Sequence, residues 1–205
     1  AVGNSLRFAA VTTLISTVAG TLLAFAMVKK PFARRWLDAM VMLPFGASAV
    51  TMGLGFIVAF SGSPLATGSF PWLIPLAHSL IAMPFVLRAV QPALAAIPAS
   101  LPQAASVLGA SPLRTWWEVE MKLISRALLS AALFSFTISL GEFGATSFIA
   151  RPDTPTLPVA IFRYLGQPGA MNYGQAMAMA TILILVCALS LALLEKLSRA
   201  LIGTE

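Results

Sequence analysis

Ser100-Leu101-Pro102-Gln103-Ala104-Ala105-Ser106-Val107-Leu108-Gly109-Ala110-Ser111-Pro112-Leu113-Arg114 is a polar, proline-bearing interruption between long apolar runs. It encodes two short helices. Ser100 and Gln103 fit a capping box, in which each side chain satisfies a backbone N–H of the other residue. Pro102 falls in the first turn, where its missing N–H costs nothing. Gly109 suits the left-handed position that ends a helix. Ser111 caps the next helix, and Pro112 takes its first position. A helix of about two turns is marginal alone, so this one needs a surface to pack on. Ala104 and Ala105 permit close approach, and Leu108 adds an apolar anchor. Two readings follow from these residues: a segment that docks into a partner's groove, or an amphipathic linker lying on a membrane.

Outward from this segment the chain is apolar. Of its 205 residues, 59% are hydrophobic and only 10% charged, against about 25% charged in a soluble domain. The solvent implied is lipid. A spanning helix needs about 20 mostly apolar residues, and five stretches qualify. They run from about Asn4 to Val28, Trp36 to Phe60, Trp72 to Ala89, Leu123 to Leu140 and Tyr173 to Leu194. Lys29, Lys30 and Pro31 stop the first. Ser61-Gly62-Ser63-Pro64 to Pro71 separates the second from the third, since Gly and Pro clusters punctuate structure. The fourth is short, and Arg126 must reach back toward the headgroups. The fold class expected is an all-α membrane protein of about five transmembrane helices, with a cytoplasmic loop at about 92–122. The chain reads as one domain, 1–205. Its start at Ala1, directly before an apolar run, reads as a truncation or as one half of a fused polypeptide.

The cations set the sidedness. Lys29, Lys30, Arg34, Arg35, Arg88, Arg114, Lys122, Arg126, Lys196 and Arg199 fall on one side of five crossings. Only Arg7, Arg151 and Arg163 fall on the other. Cytoplasmic loops carry the excess of Lys and Arg, so the chain is expected to start outside and end in the cytoplasm. The net charge of +6 therefore belongs to membrane orientation, and no nucleic-acid partner is expected.

Gln103-Ala104-Ala105, then Gly109, then Val119 and Met121-Lys122 resemble the cytoplasmic loop of binding-protein-dependent ABC importer permeases. That family's motif reads Glu-Ala-Ala, three residues, Gly, nine residues, Ile, one residue, Leu-Pro. Both alanines and the glycine match in spacing. Gln103 stands in place of Glu, Val119 in place of Ile, and Met121-Lys122 departs from Leu-Pro. The resemblance covers essentially the whole chain and implies the type I importer permease fold. It also implies that Gln103, Ala104, Ala105, Leu108 and Gly109 form a coupling helix against an ATPase subunit. The partners implied are two ATP-binding subunits, a second permease unit (a homodimer partner or fused half), an external or periplasmic substrate-binding protein and the lipid of a bacterial inner membrane.

Ser139-Leu140-Gly141-Glu142-Phe143-Gly144-Ala145-Thr146 resembles a Gly-Glu-Phe-Gly-Ala sequence of permeases for oxyanions (sulfate or molybdate), iron(III) and thiamine. Glu142 lies at the external end of the fourth span. An ionisable group at membrane depth usually faces the protein interior or a wet cavity. Glu142 with Gly141 and Gly144 is the candidate pathway or gate, and a solvated loop charge or a structural ion pair is the alternative. Arg151, Asp153 and Arg163, on a rigid external segment, are candidate contacts for the binding protein. His78 sits inside the third span and reads as hydrogen-bonded to a neighbouring helix.

No Gly-x-x-x-x-Gly-Lys-Ser/Thr occurs, so the usual phosphate-cradling loop is missing and ATP hydrolysis is expected on a partner. The chain is expected to be a transport component and not an enzyme. No catalytic residue, cofactor or metal site is expected, since the chain has one His and one Cys, Cys187. A serine hydrolase pairing His78 with Ser48 lacks the glycine setting of a nucleophile turn. A secondary transporter or channel is the remaining alternative, but its ion-coupling groups are scarce in these spans.

Overall fold

The computed structural model describes residues 1–29, 31–60 and 72–202. Among them the chain is helical, with no strand. The order is α1 (Val2–Lys29), α2 (Pro31–Gly46), α3 (Ala49–Phe60), α4 (Leu73–Ala95), α5 (Ser100–Val107), α6 (Pro112–Thr115), a π-turn (Trp116–Glu120), α7 (Met121–Leu123), α8 (Ser125–Gly141), α9 (Gly144–Ile149), α10 (Leu157–Leu165) and α11 (Ala170–Ile202).

Three helices, α1, α4 and α11, are long and apolar enough to cross a membrane unbroken. The second and fourth expected spans are bent pairs, α2 with α3 and Pro112–Leu123 with α8, which brings the number to five if each pair is one span. The continuous span expected from Trp36 to Phe60 is therefore corrected. Pro44 removes a hydrogen bond near the end of α2. The Ser48 hydroxyl then accepts the Thr51 N–H at 3.4 Å, as a helix cap does. Arg34 and Arg35, read as loop residues, lie on α2, which begins at Pro31. The fourth span turns by 69° between Leu123 and Ser125. The third helix runs past Ala89 through Pro92 to Ala95, so the loop that follows is shorter than 92–122. The Ser61–Pro71 break lies outside the described residues, as does Lys30.

The core is a bundle of α1, α4 and α8. Ala24, Met27, Val86, Leu87, Val90, Ile124 and Ala131 pack the half of it nearer Lys29. Gly20 makes the close approach possible, because a Cβ there would stand 2.6 Å from Val86 Cγ1. Hydroxyls bind the helices across the apolar interior. Ser16 Oγ and Ser135 Oγ are 2.6 Å apart, and the Thr12 hydroxyl donates to the Pro75 carbonyl at 3.3 Å. Interhelical bonds of this kind hold helices together where lipid offers no hydrophobic drive. The pairings Thr12 with Pro75 and Gly20 with Val86 make α1 and α4 parallel. Ser16 with Ser135 and His78 with Ser139 make α8 antiparallel to both.

Two ends follow. At one end the Asn4 amide donates to the Pro155 carbonyl at 3.2 Å, and the Leu157 N–H donates to Ser5 Oγ at 2.8 Å. The Glu142 corner and the start of α11 lie at this end. At the other end Lys29 meets Glu120, beside the exit of α4 and the short helix α5. α11 leaves much of its surface open, with Ile184 at 67% and Leu189 at 69% exposure. Apolar surface on that scale is suited to lipid or to another apolar chain.

Candidate functional site

The short helix at Ser100–Val107 forms as the spacing predicts, and it closes in a Schellman motif. The Ala110 N–H donates to the Ala105 carbonyl and the Gly109 N–H to the Ser106 carbonyl, each at 3.0 Å. Gly109 adopts φ +83°, a left-handed conformation that a side chain would strain. Ser111 Oγ accepts the Arg114 N–H at 3.3 Å, with Pro112 following it into the helix.

The capping box does not form. The chain is already helical at Ala99, and no side chain caps α5. Ser100 lies inside the helix, where it lacks the extended backbone that an N-cap side chain requires. The Gln103 N–H goes instead to the Ala99 carbonyl at 3.3 Å, and the Gln103 side chain is left exposed.

α5 buries no residue. Val107 is 86% and Leu108 87% exposed, and Leu113, the second residue of the next helix, is 73% exposed. Ala104 is exposed and Ala105 half-buried. The result is a small-residue helix with a flanking leucine pair, carried outside the bundle and closed at its C-terminal end by Gly109.

The second feature is a buried corner at the break between α8 and α9. Glu142 has left the helix, with extended backbone, and its carboxylate turns back over the first turn of α9. Oε1 accepts the Ala145 N–H at 2.8 Å. Oε2 accepts the Thr146 N–H at 3.0 Å and the Thr146 hydroxyl at 2.5 Å. His78 Nε2, from α4, lies 3.2 Å from the same oxygen. A carboxylate only accepts, so the two N–H groups and the Thr146 hydroxyl donate to it. Because Thr146 gives its proton to Glu142, its oxygen receives one from His78 Nε2, 2.6 Å away. The proton on Nε2 is assigned from this network. His78 Nδ1 meets Ser139 Oγ at 2.7 Å, closing a buried circuit across α4, α8 and α9.

Glu142 is thus a buried pair with His78 and the cap of α9, which removes the solvated-loop alternative. Gly144 packs on α3, where a Cβ would come within 2.6 Å of Ala49 Cβ. Gly53 does the same from the other side, 2.9 Å from the Ala145 backbone. Gly141 has open space around its Cβ position and makes no such approach. Sequence reasoning passed over Gly53, whose role depends on the partner helix.

Arg151, Asp153 and Arg163 lie together at the α1 N-terminal end. Arg163 donates to the Pro152 carbonyl at 3.3 Å, and Asp153 is exposed. Phe143 and Phe162, with ring centres 5.2 Å apart, join this segment to the Glu142 corner. Along α2 and α3 run two open apolar concavities. One of about 490 Å³ is lined by Ala39, Met42, Leu43, Gly46 and Ala47. The other, of about 230 Å³, is lined by Met52, Gly55, Phe56, Ala59 and Phe60.

An exposed short helix between membrane-length helices, together with a helix break at Glu142, is the pattern of an integral membrane protein. The chain belongs to the family of binding-protein-dependent transport system inner membrane components, which it matches over residues 16–203. It is 37% identical over 166 residues to the permease protein PhnV, assigned to a 2-aminoethylphosphonate transport system of Salmonella typhimurium. That match covers 81% of this chain and 60% of PhnV, so the chain spans about three-fifths of that relative's length. It is 34% identical over 194 residues to the sulfate transport system permease protein CysT of the same organism, covering 88% of this chain and 69% of CysT. The relatives are transport permeases. A solved inward-facing structure of the MetNI methionine ABC transporter superposes with a TM-score of 0.73 at 18% identity, covering 96% of this chain and 92% of that one. This likeness establishes the type I permease fold.

Proposed function

We propose that the chain is the transmembrane permease of an ATP-driven importer, forming the substrate pathway and coupled to ATPase subunits on separate chains. The observation that carries this reading is α5: a solvent-carried helix of small residues, stopped by a left-handed Gly109, with Leu108 exposed. Helix α5 with Gln103, Ala104, Ala105, Leu108 and Gly109 docks on the ATPase. Closure of the ATPase moves the docked helix, and the packed bundle passes that movement to the far end as a switch between discrete arrangements.

Two such units enclose one pathway, each served by one ATP-binding subunit, and an external binding protein delivers the substrate to the Arg151, Asp153 and Arg163 end. The pathway opens at the Glu142, Gly141 and Gly144 corner. The excess of cations supports a cytoplasmic location in a bacterial cell for α5 and the C-terminus of α11. For the substrate we take the oxyanion reading, because the quoted relatives serve sulfate and a phosphonate. The iron(III) and thiamine readings have no such support. The basic residues Arg151 and Arg163 suit an anion delivered from outside.

Affinity purification of the permease followed by an ATPase assay tests the docking assignment, with and without Gly109→Asp. An ATPase that accompanies the parent and is lost from the variant supports the reading. No accompanying ATPase, or equal retention by the variant, overturns it and returns the secondary-transporter alternative.

A further inference from the structure

The run Pro112–Leu123 carries α5 into the bundle, and it contains a wide turn. The Met121 N–H closes on the Trp116 carbonyl, five residues back. In an α-helix successive side chains rotate by about 100°, so residues five apart point about 140° apart. A π-turn brings residues i and i+5 onto one face. Thr115, Glu120 and Ile124 are all buried, and the wide turn is what puts them on one face.

That face meets α1. Glu120 Oε2 lies 3.3 Å from Lys29 Nζ, with the two side chains 11% and 59% exposed. Lys29 stands over the Phe25 ring at 5.3 Å. Phe25 in turn packs on Trp116, the first residue of the π-turn, at 5.8 Å. The other charges of the run stay apart from this contact. Arg114 and Glu118 pair with each other at 3.1 Å on the open side, and Lys122 is exposed. Because α5 buries nothing of its own, its position relative to the bundle is set by the segments that flank it.

We infer that Lys29 and Glu120 are positioning residues, and that their ion pair, aimed by the Trp116–Glu120 π-turn, locks the base of the docking helix to the end of α1. The consequence for transport rests on the coupling reading above, but the joint itself does not. An unpaired acidic group at this depth is costly, so Glu120 holds Lys29 as long as the turn keeps its register. Movement imposed on α5 then reaches α1 directly as well as through α8.

The experiment uses the whole permease in a Cys187→Ala background, with spin labels at Leu22→Cys on α1 and Val107→Cys on α5. The parent should give one narrow distance distribution. Lys29→Glu and Glu120→Lys should each widen it by about twofold or more, and the double reversal should restore it, as coupled neighbours do in a mutant cycle. Glu120→Gln, which keeps the shape, should widen it without loss of membrane yield. In the complex with its ATPase, substrate-stimulated hydrolysis should fall by about tenfold in each single reversal and recover in the double, in line with a pair having one buried member. Unchanged distances in the single reversals, or a double reversal as broad as either single, overturn the joint. If no ATPase binds the parent, the coupling reading fails, while the distance measurement still decides the joint.

Discussion

His78 Nε2 and Glu142 Oε2 lie 3.2 Å apart with side chains 1% and 5% exposed, although 64 residues of chain separate them. The carboxylate also holds the first two free N–H groups of α9 that it can reach. One side chain therefore both caps a helix and joins that helix to α4. Removing His78 leaves the Glu142 carboxylate and the Thr146 hydroxyl without the imidazole N–H beside them. His78→Ala should destabilise the permease by about 3 kcal/mol, the loss found when one partner of a buried pair is deleted. His78→Gln, which returns an N–H near Nε2, should recover more of the stability than His78→Asn. Thermal unfolding in detergent checks both.

Glu142→Gln keeps the shape but supplies one acceptor oxygen where two were in use. If that oxygen faces Thr146 and His78, the new amide group points its own donors at the Ala145 N–H. Loss of a helix cap costs about 1 kcal/mol, so the protein should still assemble. Substrate uptake should drop by about tenfold if α9 is part of the gate, an energy near 1.4 kcal/mol. Uptake and assembly at parental levels would remove Glu142 from the pathway.

Gly53→Ala and Gly144→Ala should each cost about 1–3 kcal/mol by overpacking. Their new Cβ atoms meet the Ala145 backbone at 2.9 Å and Ala49 Cβ at 2.6 Å, respectively. Neither obstacle is a flexible chain end, so α3 and α9 must move apart. Gly55→Ala, on the same helix as Gly53 but with nothing within 4 Å, should be tolerated. A comparison of melting temperatures across the three variants decides this.

What was legible in the sequence was local. Lys29 ends α1, Gly109 ends α5 and Ser111 begins α6 because each signal acts within a few residues of itself. The apolar runs gave the long helices α1, α4 and α11 for the same reason. The bend at Ala47–Ser48 was missed because hydropathy does not register a change of direction; Pro44 and Gly46 were the signal for it. The capping box at Ser100 failed because the chain coming from Pro98 is already helical at Ala99. The Glu142 corner was visible as an oddity, yet its partner His78 is set by packing between α4 and α8. The π-turn carries no mark in Trp116–Glu120 themselves. The residues its face meets, Lys29 and Phe25, lie on α1, far away in sequence.

Leu108 offers a separation of stability from function. It is 87% exposed and lies at the end of a helix that buries nothing. Leu108 is the C-cap residue of α5 but its side chain buries nothing, so Leu108→Asp should cost no more than about 1 kcal/mol, the penalty of an acidic group at a helix C-terminus. Gly109→Ala should behave differently, because the left-handed φ of +83° costs a side chain about 1–2 kcal/mol. If α5 is a docking helix, Leu108→Asp should nonetheless abolish retention of the ATPase, since a charged group at a packed apolar contact is left without water or a partner. Purification of both variants, with melting and ATPase retention measured on the same samples, separates the two effects. Retention of the ATPase by a stable Leu108→Asp protein would show that this leucine faces membrane or water in the assembled transporter, and the apolar anchor would then have to be sought at Val107 or Leu113.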